Sequence, residues 1–173
     1  MLKLLAAAEK SAPWFADLLI WYLHSGMRKS EALGVKWSDI KTLPNGSVIV
    51  ELNKTKSGEG RQVVCTKTMK EIIERQKSMK KDGDDRLFPL AEITVRRRWQ
   101  KVREEAGLPD VVMHDLRRTH ATHAVTAGVD MRTLKGRMGH SNLEMLDKHY
   151  AALQGSATEE AAEKIEASLS RNT

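Results

Sequence analysis

Residues 113–150 contain a group of side chains that are suited to chemistry on an anion. The group includes His114, the adjacent pair Arg117 and Arg118, and Tyr150. Arginine keeps its charge at physiological pH, and its planar guanidinium pairs with two phosphate oxygens at once. Histidine transfers protons near neutral pH, and a phenolic oxygen becomes a nucleophile where cations stabilise its ionised form. These residue types predict phosphoryl transfer on a nucleic acid.

The overall composition agrees with a polyanionic partner. The 173 residues carry a net charge of +6, and the pI is near 9.5, which favours nucleic acid over a membrane surface. Cys65 is the single cysteine, so an internal disulfide framework is excluded. We expect no membrane span, because the sequence contains no apolar run of 18 residues, and its N-terminus lacks the features of a signal peptide.

Hydrophobic periodicity predicts a mainly α fold with a small antiparallel β-hairpin or sheet, which is an α+β class. The apolar spacing predicts helices at residues 2–8, 14–24, 30–33, 66–80, 93–106, 114–127 and 131–138. Ser11 is expected to cap the second helix, with Pro13 in its first turn, and Asp130 is expected to cap the helix at 131–138. Two runs rich in β-branched residues, 47–52 and 62–65, predict the hairpin. A helix capped by Ser141 or Asn142 is expected to lead to Tyr150, and an amphipathic helix is expected at 156–170.

Two basic segments are candidates for contact with a phosphate backbone. One is the polar, glycine-bearing tip of the hairpin, and the other is the helix at 93–106. The candidate residues in these segments are Lys54, Lys56, Arg61, Arg96, Arg97 and Arg98. The alternative for each segment is an ordinary solvated surface, and the pattern alone does not separate the two interpretations.

Five segments, in order along essentially the whole chain, resemble those of the tyrosine recombinases, the phage-integrase family. The run at 25–40, which contains Arg28, resembles the first arginine motif, and His114-Asp115-Leu116-Arg117 resembles the His-x-x-Arg motif. Met138-Gly139-His140-Ser141 resembles the Leu-Gly-His-Ser segment, with methionine in place of leucine. Lys56 lies in the hairpin and Tyr150 lies where the family's nucleophile is expected.

The resemblance implies a role for each matched residue. Tyr150 would attack a DNA phosphodiester and form a 3′-phosphotyrosyl link, while Arg28 and Arg117 would bind the non-bridging oxygens. Lys56 would protonate the leaving 5′ oxygen. Lys54 lies two positions away, where a strand would point both side chains the same way, so spacing does not choose between them.

The remaining matched residues would assist this reaction. His114 would exchange a proton with the tyrosine, and His140 would donate a hydrogen bond to the phosphate. Glu31, near Arg28, and Asp115 would be supporting residues. Arg118 would contact DNA, with pairing to a carboxylate as the alternative. The resemblance implies neither a nucleotide cofactor nor a metal.

The family also implies an assembly and a location. Residues 1–173 are expected to form a single catalytic domain that lacks the family's N-terminal DNA-binding domain. The expected partner is a double-stranded DNA attachment site, bound by a tetramer, with a monomer in the absence of DNA. The helix at 156–170 would dock on a neighbouring protomer or on its own domain. The expected location is the nucleoid of a bacterial or phage-infected cell, in the cytoplasm.

Two other functions are compatible with the same residues. One is a catalytically silent DNA-binding module, whose affinity would show the salt dependence of counterion release. The other is a DNA-relaxing enzyme that resembles type IB topoisomerases. Neither the attachment sequence nor the direction of recombination follows from these residues.

Overall fold

A computed structural model describes residues 1–53, 60–80 and 83–139 of the chain. These residues form mainly helices and one small antiparallel sheet, which confirms the predicted α+β class. The helices are α1 Leu2–Ser11, α2 Pro13–Ser25, α3 Lys29–Gly34, α4 Lys67–Ser78, α5 Glu92–Glu105, α6 His114–Thr126 and α7 Met131–Met138. The strands are β1 Ile40–Thr42, β2 Val48–Leu52 and β3 Arg61–Val64. The predicted helices at 156–170 and leading to Tyr150 lie outside the described residues.

Helix α2 is the centre of the main hydrophobic core. Its apolar face includes Phe15, Leu18 and Leu19, all of which are fully buried, and it packs against α1, α4 and α6. The helix ends at Gly26, whose φ of 65° is the left-handed conformation that commonly closes a helix. This end of α2 lies beside α6, because Gly26 is close to the His120 side chain.

The beginning of α2 differs from the expectation. Pro13 is in the first turn as predicted, but the N-cap residue is Ala12, which has no capping side chain. Ser11 instead ends α1, and its hydroxyl accepts a hydrogen bond from Arg98 at 3.0 Å. The predicted serine cap is therefore wrong, because Ser11 lies one residue before Ala12, which occupies the N-cap position.

The sheet contains three antiparallel strands in the order β1-β2-β3. The predicted hairpin is confirmed as β2 and β3, with Leu52 paired to Arg61 at the end next to the connecting loop. Strand β1 was not predicted, because three residues are too few for an alternating pattern to be recognised. The pairing of β2 with β3 places Arg61 at the edge of the sheet.

Helices α6 and α7 form a second, smaller apolar cluster from Ala121, Val125, Leu134 and Met138. Asp130 caps α7 by accepting a hydrogen bond from the backbone N–H of Thr133 at 2.9 Å, as the sequence predicted. Helix α7 also contacts β3, so its C-terminal end lies near Arg61. Among the helices of the described ranges, none is long and apolar enough to cross a membrane.

Candidate active site

The first turn of α3 brings Arg28 and Glu31 together. Arg28 is the N-cap residue, and Glu31 is the third residue of the helix. The Glu31 carboxylate accepts hydrogen bonds from the Arg28 backbone N–H at 2.7 Å and from Arg28 Nη1 at 2.9 Å. The expected proximity of Glu31 to Arg28 is thus confirmed.

A second guanidinium, that of Arg61, binds the same carboxylate. Its Nη1 and Nη2 donate to the two oxygens of Glu31 at 3.0 and 2.7 Å, and its Nε donates to the carbonyl of Arg137 at 2.9 Å. The sequence predicted Arg61 only as a DNA-contacting residue of the hairpin. Nothing in the sequence signals this contact, because 30 residues separate the partners and both lie in polar segments.

Arg117 approaches from α6 and is 3% exposed. Its Nη1 donates to the carbonyl of Gly26 at the end of α2, and its Nη2 donates to the carbonyl of Met138 at 2.8 Å. Burial, together with the positive charge of Arg28, lowers the pKa of Arg117 to about 10, so the guanidinium remains protonated at neutral pH. Because Gly26 lies two residues before Arg28, the hydrogen bond from Arg117 to Gly26 brings the two arginines, 89 positions apart in the sequence, into one site.

We call Arg28, Arg61, Arg117 and Glu31 the arginine cluster. Burial alone would raise the pKa of Glu31, but hydrogen bonds from Arg61 and Arg28 outweigh it and lower the pKa to about 2. Glu31 is therefore ionised at physiological pH. Arg28 and Arg61 both bind its carboxylate, and the buried Arg117 adds a third positive charge to the site. The net positive charge of the arginine cluster is accessible to solvent at Arg28, whose side chain is 35% exposed. Such a site can bind one anionic group, such as a phosphodiester.

His114 is the exposed first residue of α6, close to the arginine cluster. Partial burial and the neighbouring charges of Arg118 and Arg117 lower its pKa below the ordinary 6.5. The imidazole is therefore mainly neutral at pH 7 and can accept a proton.

Asp115 and Arg118 form an ion pair on the first turn of α6. Arg118 Nη1 donates to Asp115 at 2.9 Å. Pairing with a carboxylate is the alternative to DNA contact that the sequence left open for Arg118. The other Asp115 oxygen accepts a hydrogen bond from the Val112 backbone at 2.9 Å. Asp115 thus supports the start of the helix that presents His114.

The side chains of the three consecutive arginines of α5 lie in different surroundings. Arg96 lines a groove together with Lys29 and Met113, which are the chain neighbours of Arg28 and His114. Arg97 is exposed. Arg98 faces away from that groove, toward α1 and α2, where its guanidinium lies 5.7 Å from the Trp14 ring and donates to Ser11.

Four of the predicted site residues, Lys54, Lys56, His140 and Tyr150, lie outside the described residues. Gly139, the last described residue, directly precedes His140. Gly139 has a φ of 70°, and a Cβ at this position would lie 2.9 Å from Arg61 Nη1. The backbone that continues to His140 therefore starts against the arginine cluster.

Sequence comparison relates the chain to DNA recombinases. The model of the phage integrase family matches residues 1–156. The tyrosine recombinase XerC of Rhodospirillum centenum is 30% identical over 158 residues, which cover 83% of this chain and 45% of that protein. XerA of Saccharolobus solfataricus is 31% identical over 122 residues, or 70% of this chain and 40% of that protein. The chain thus spans less than half the length of these curated relatives.

Solved structures show the same fold. The XerA recombinase matches with a TM-score of 0.67 at 22% identity, over 91% of this chain and 61% of that one. The lambda integrase catalytic core matches with a TM-score of 0.63 at 25% identity, over 82% of this chain and 88% of that one. XerH bound to its difH substrate matches with a TM-score of 0.65 at 20% identity, over 90% of this chain and 50% of that one.

Proposed function

Because the chain belongs to the phage integrase family, we propose that it cleaves and rejoins DNA strands in site-specific recombination. The observation that supports this most directly is the arginine cluster. The guanidiniums of Arg28, which caps α3, and of Arg61, on β3, bind one carboxylate, and the buried Arg117 of α6 adds a further positive charge to a site that also has a neutral imidazole. A DNA phosphodiester has the charge and oxygen geometry that such a cluster binds.

The proposed reaction begins with attack on phosphorus by the phenolic oxygen of Tyr150. A bond forms between this oxygen and phosphorus, and the bond to the 5′ oxygen breaks, which leaves a 3′-phosphotyrosine. Lys56, or Lys54 in its place, gives a proton to the departing 5′ oxygen. Arg28 and Arg117 stabilise the negative charge that develops on the non-bridging oxygens. Attack by a 5′-hydroxyl of another strand reverses each of these changes and reseals the DNA.

His114 and His140 complete the proposed site. A lowered pKa keeps His114 neutral at pH 7, so it is able to accept the phenolic proton as Tyr150 attacks. His140 donates a hydrogen bond to the phosphate. Asp115 supports His114 through the first turn of α6, and Glu31 orients Arg28.

DNA binding by this surface is part of the proposal. The groove that contains Arg96 adjoins the neighbours of both Arg28 and His114, so we expect Arg96 and the exposed Arg97 to contact backbone phosphates near the cleavage site. Lys54, Arg61, Arg98 and Arg118 were also predicted from the sequence to contact DNA. Of these, Arg61, Arg98 and Arg118 already have protein partners, so we propose direct DNA contact only for Lys54.

The proposed assembly on DNA is a tetramer. A lambda integrase tetramer bound to a Holliday junction shares the fold of this chain, with a TM-score of 0.62. In the tetramer, the helix at 156–170 docks on a neighbouring protomer. Without DNA we expect a monomer, in which this helix docks on its own domain.

Covalent capture of DNA tests the proposed function. The substrate is a pool of duplexes with a randomised core and one nick, so that the short cleaved strand diffuses away and the protein remains attached. The wild-type chain should yield a protein–DNA adduct that resists denaturant, and Tyr150→Phe should bind the pool without forming it. Tyr22→Phe is the matched control, because Tyr22 is 2% exposed and its hydroxyl donates to the Lys29 carbonyl.

The outcome separates the three candidate functions. Binding without an adduct from the wild-type chain would identify a catalytically silent module. Relaxation of a supercoiled plasmid of unrelated sequence, in the absence of metal, would identify a topoisomerase-like enzyme. An adduct restricted to one enriched core sequence is the result that we expect.

A further inference from the structure

We propose that Arg61 is a positioning residue for this reaction, which holds Glu31 and the C-terminal end of α7 in fixed relation. Through these contacts it orients Arg28 on one side and the backbone that leads to His140 on the other. This inference rests on the proposed strand-transfer function and assigns to Arg61 a role other than direct contact with DNA.

The contacts of Arg61 are all made within the protein. Each of its three guanidinium nitrogens donates to a protein oxygen, two to the carboxylate of Glu31 and one to the carbonyl of Arg137. Its side chain is 11% exposed, compared with 35% for Arg28. A phosphate that took over the bidentate contact of Arg61 would displace a buried carboxylate, which is costly because the displaced charge loses its partner. Arg28 is therefore the better candidate for direct contact with a phosphate.

The backbone around Arg61 explains how it connects distant segments. Pairing of Leu52 with Arg61 fixes its backbone at the edge of the sheet, and its side chain extends to both α3 and α7. Gly139 makes room for it, since any side chain at this position would begin 2.9 Å from Arg61 Nη1. One guanidinium thus links three segments that surround the proposed phosphate site.

The charge balance of Glu31 depends on the same contact. The charged groups that face Glu31 are Arg28 on its own helix, Arg61 on β3 and Arg117 on α6. Without Arg61, the carboxylate remains buried but loses two of its hydrogen bonds, so protonation becomes easier. A protonated Glu31 is a weaker acceptor for Arg28. As the pH falls, we therefore expect an Arg61 variant to lose activity at a higher pH than the wild-type chain.

The test compares Arg61→Met, Arg61→Lys, Glu31→Gln and the double variant Glu31→Gln/Arg61→Met, all in the full chain. Single-turnover formation of the covalent adduct is measured at saturating nicked DNA across pH, and DNA affinity is measured across salt concentration. Arg61→Met should slow adduct formation by roughly 10- to 100-fold, with affinity and salt dependence unchanged. Arg61→Lys should remain slow, because lysine cannot form the bidentate contact. The double variant should be no slower than the slower single variant, since both remove one interaction.

The matched control is Arg96→Met, which removes an exposed arginine from the groove. It should lower DNA affinity and reduce the salt slope by about 1. The same pattern in Arg61→Met would overturn the positioning role and identify a phosphate contact. If Arg61→Met does not fold, a wild-type rate in Arg61→Lys would overturn it. Absence of an adduct from the wild-type chain would overturn the strand-transfer function itself.

Discussion

Replacement of Glu31 by glutamine removes the negative charge at the centre of the arginine cluster and keeps the size of the side chain. Glu31 has a side chain that is 4% exposed, and it accepts hydrogen bonds from both Arg28 and Arg61. Glutamine presents one oxygen and an NH₂ group, so one of the two guanidiniums would face a donor. We expect a large loss of stability at neutral pH.

The size of this loss follows from the pKa of Glu31. The two guanidiniums lower the pKa from 4.5 to about 2 against the opposing effect of burial. A difference of one in pKa between folded and unfolded chains corresponds to about 1.36 kcal/mol, so ionised Glu31 contributes about 3 kcal/mol at pH 7. Because the folded-state pKa is the lower one, this contribution is present above pH 4.5 and disappears as the pH falls towards 2.

Urea unfolding of the wild-type chain and Glu31→Gln, followed from pH 7 to pH 3, measures this contribution. The matched control is Glu92→Gln, because Glu92 also pairs with a residue of α3, Lys29, but has a side chain that is 68% exposed. The control should leave the free energy of unfolding nearly unchanged, because a solvent-exposed ion pair contributes little to stability. A loss below about 1 kcal/mol for Glu31→Gln, or one that does not shrink in acid, would refute the reasoning.

Three further predictions concern neighbouring positions. Gly26→Ala should destabilise the fold by roughly 2–5 kcal/mol in urea unfolding, since its φ is 65° and a Cβ would lie 2.5 Å from His120, whereas Gly34→Ala, with open space, should not. Burial lowers the pKa of His120 to about 4, so stability should fall as the pH drops from 6.5 towards 4, and His120→Asn should flatten this dependence. Arg96→Ala should reduce the salt slope of DNA binding by about 1, whereas Arg98→Ala should instead lower the melting temperature, because Arg98 packs on α1 and α2. An unchanged melting temperature in Arg98→Ala, or a pH-independent stability below 6.5, would contradict the packing on which these predictions depend.

The sequence was most informative where physical signals are local. Apolar residues at helical spacing predicted α2, and a capping aspartate predicted the start of α7, because both features act within a few neighbouring residues. The resemblance predicted roles for Arg28, Glu31, His114 and Arg117. The structure pairs Arg28 with Glu31, places Arg117 against Gly26, and starts α6 at His114, one turn before Arg117.

The sequence was least informative where a side chain has a distant partner. Arg61 lies in a polar segment, where its charge is visible but its contacts with Glu31 and Arg137 are not. Ser11 has a capping side chain, yet its hydroxyl accepts from Arg98, 87 residues away. Such contacts depend on the packing of whole elements, so a pattern within one segment does not predict them.

Identification of the amino acid that becomes linked to DNA tests the proposed mechanism most directly. After capture on the nicked duplex pool, the protein is digested with trypsin, and the DNA-linked peptide is sequenced by mass spectrometry. We predict a link to Tyr150, in the peptide that follows Lys148 and ends at Lys164. A link to Tyr22, the other tyrosine of the chain, or to a serine would contradict the proposed mechanism.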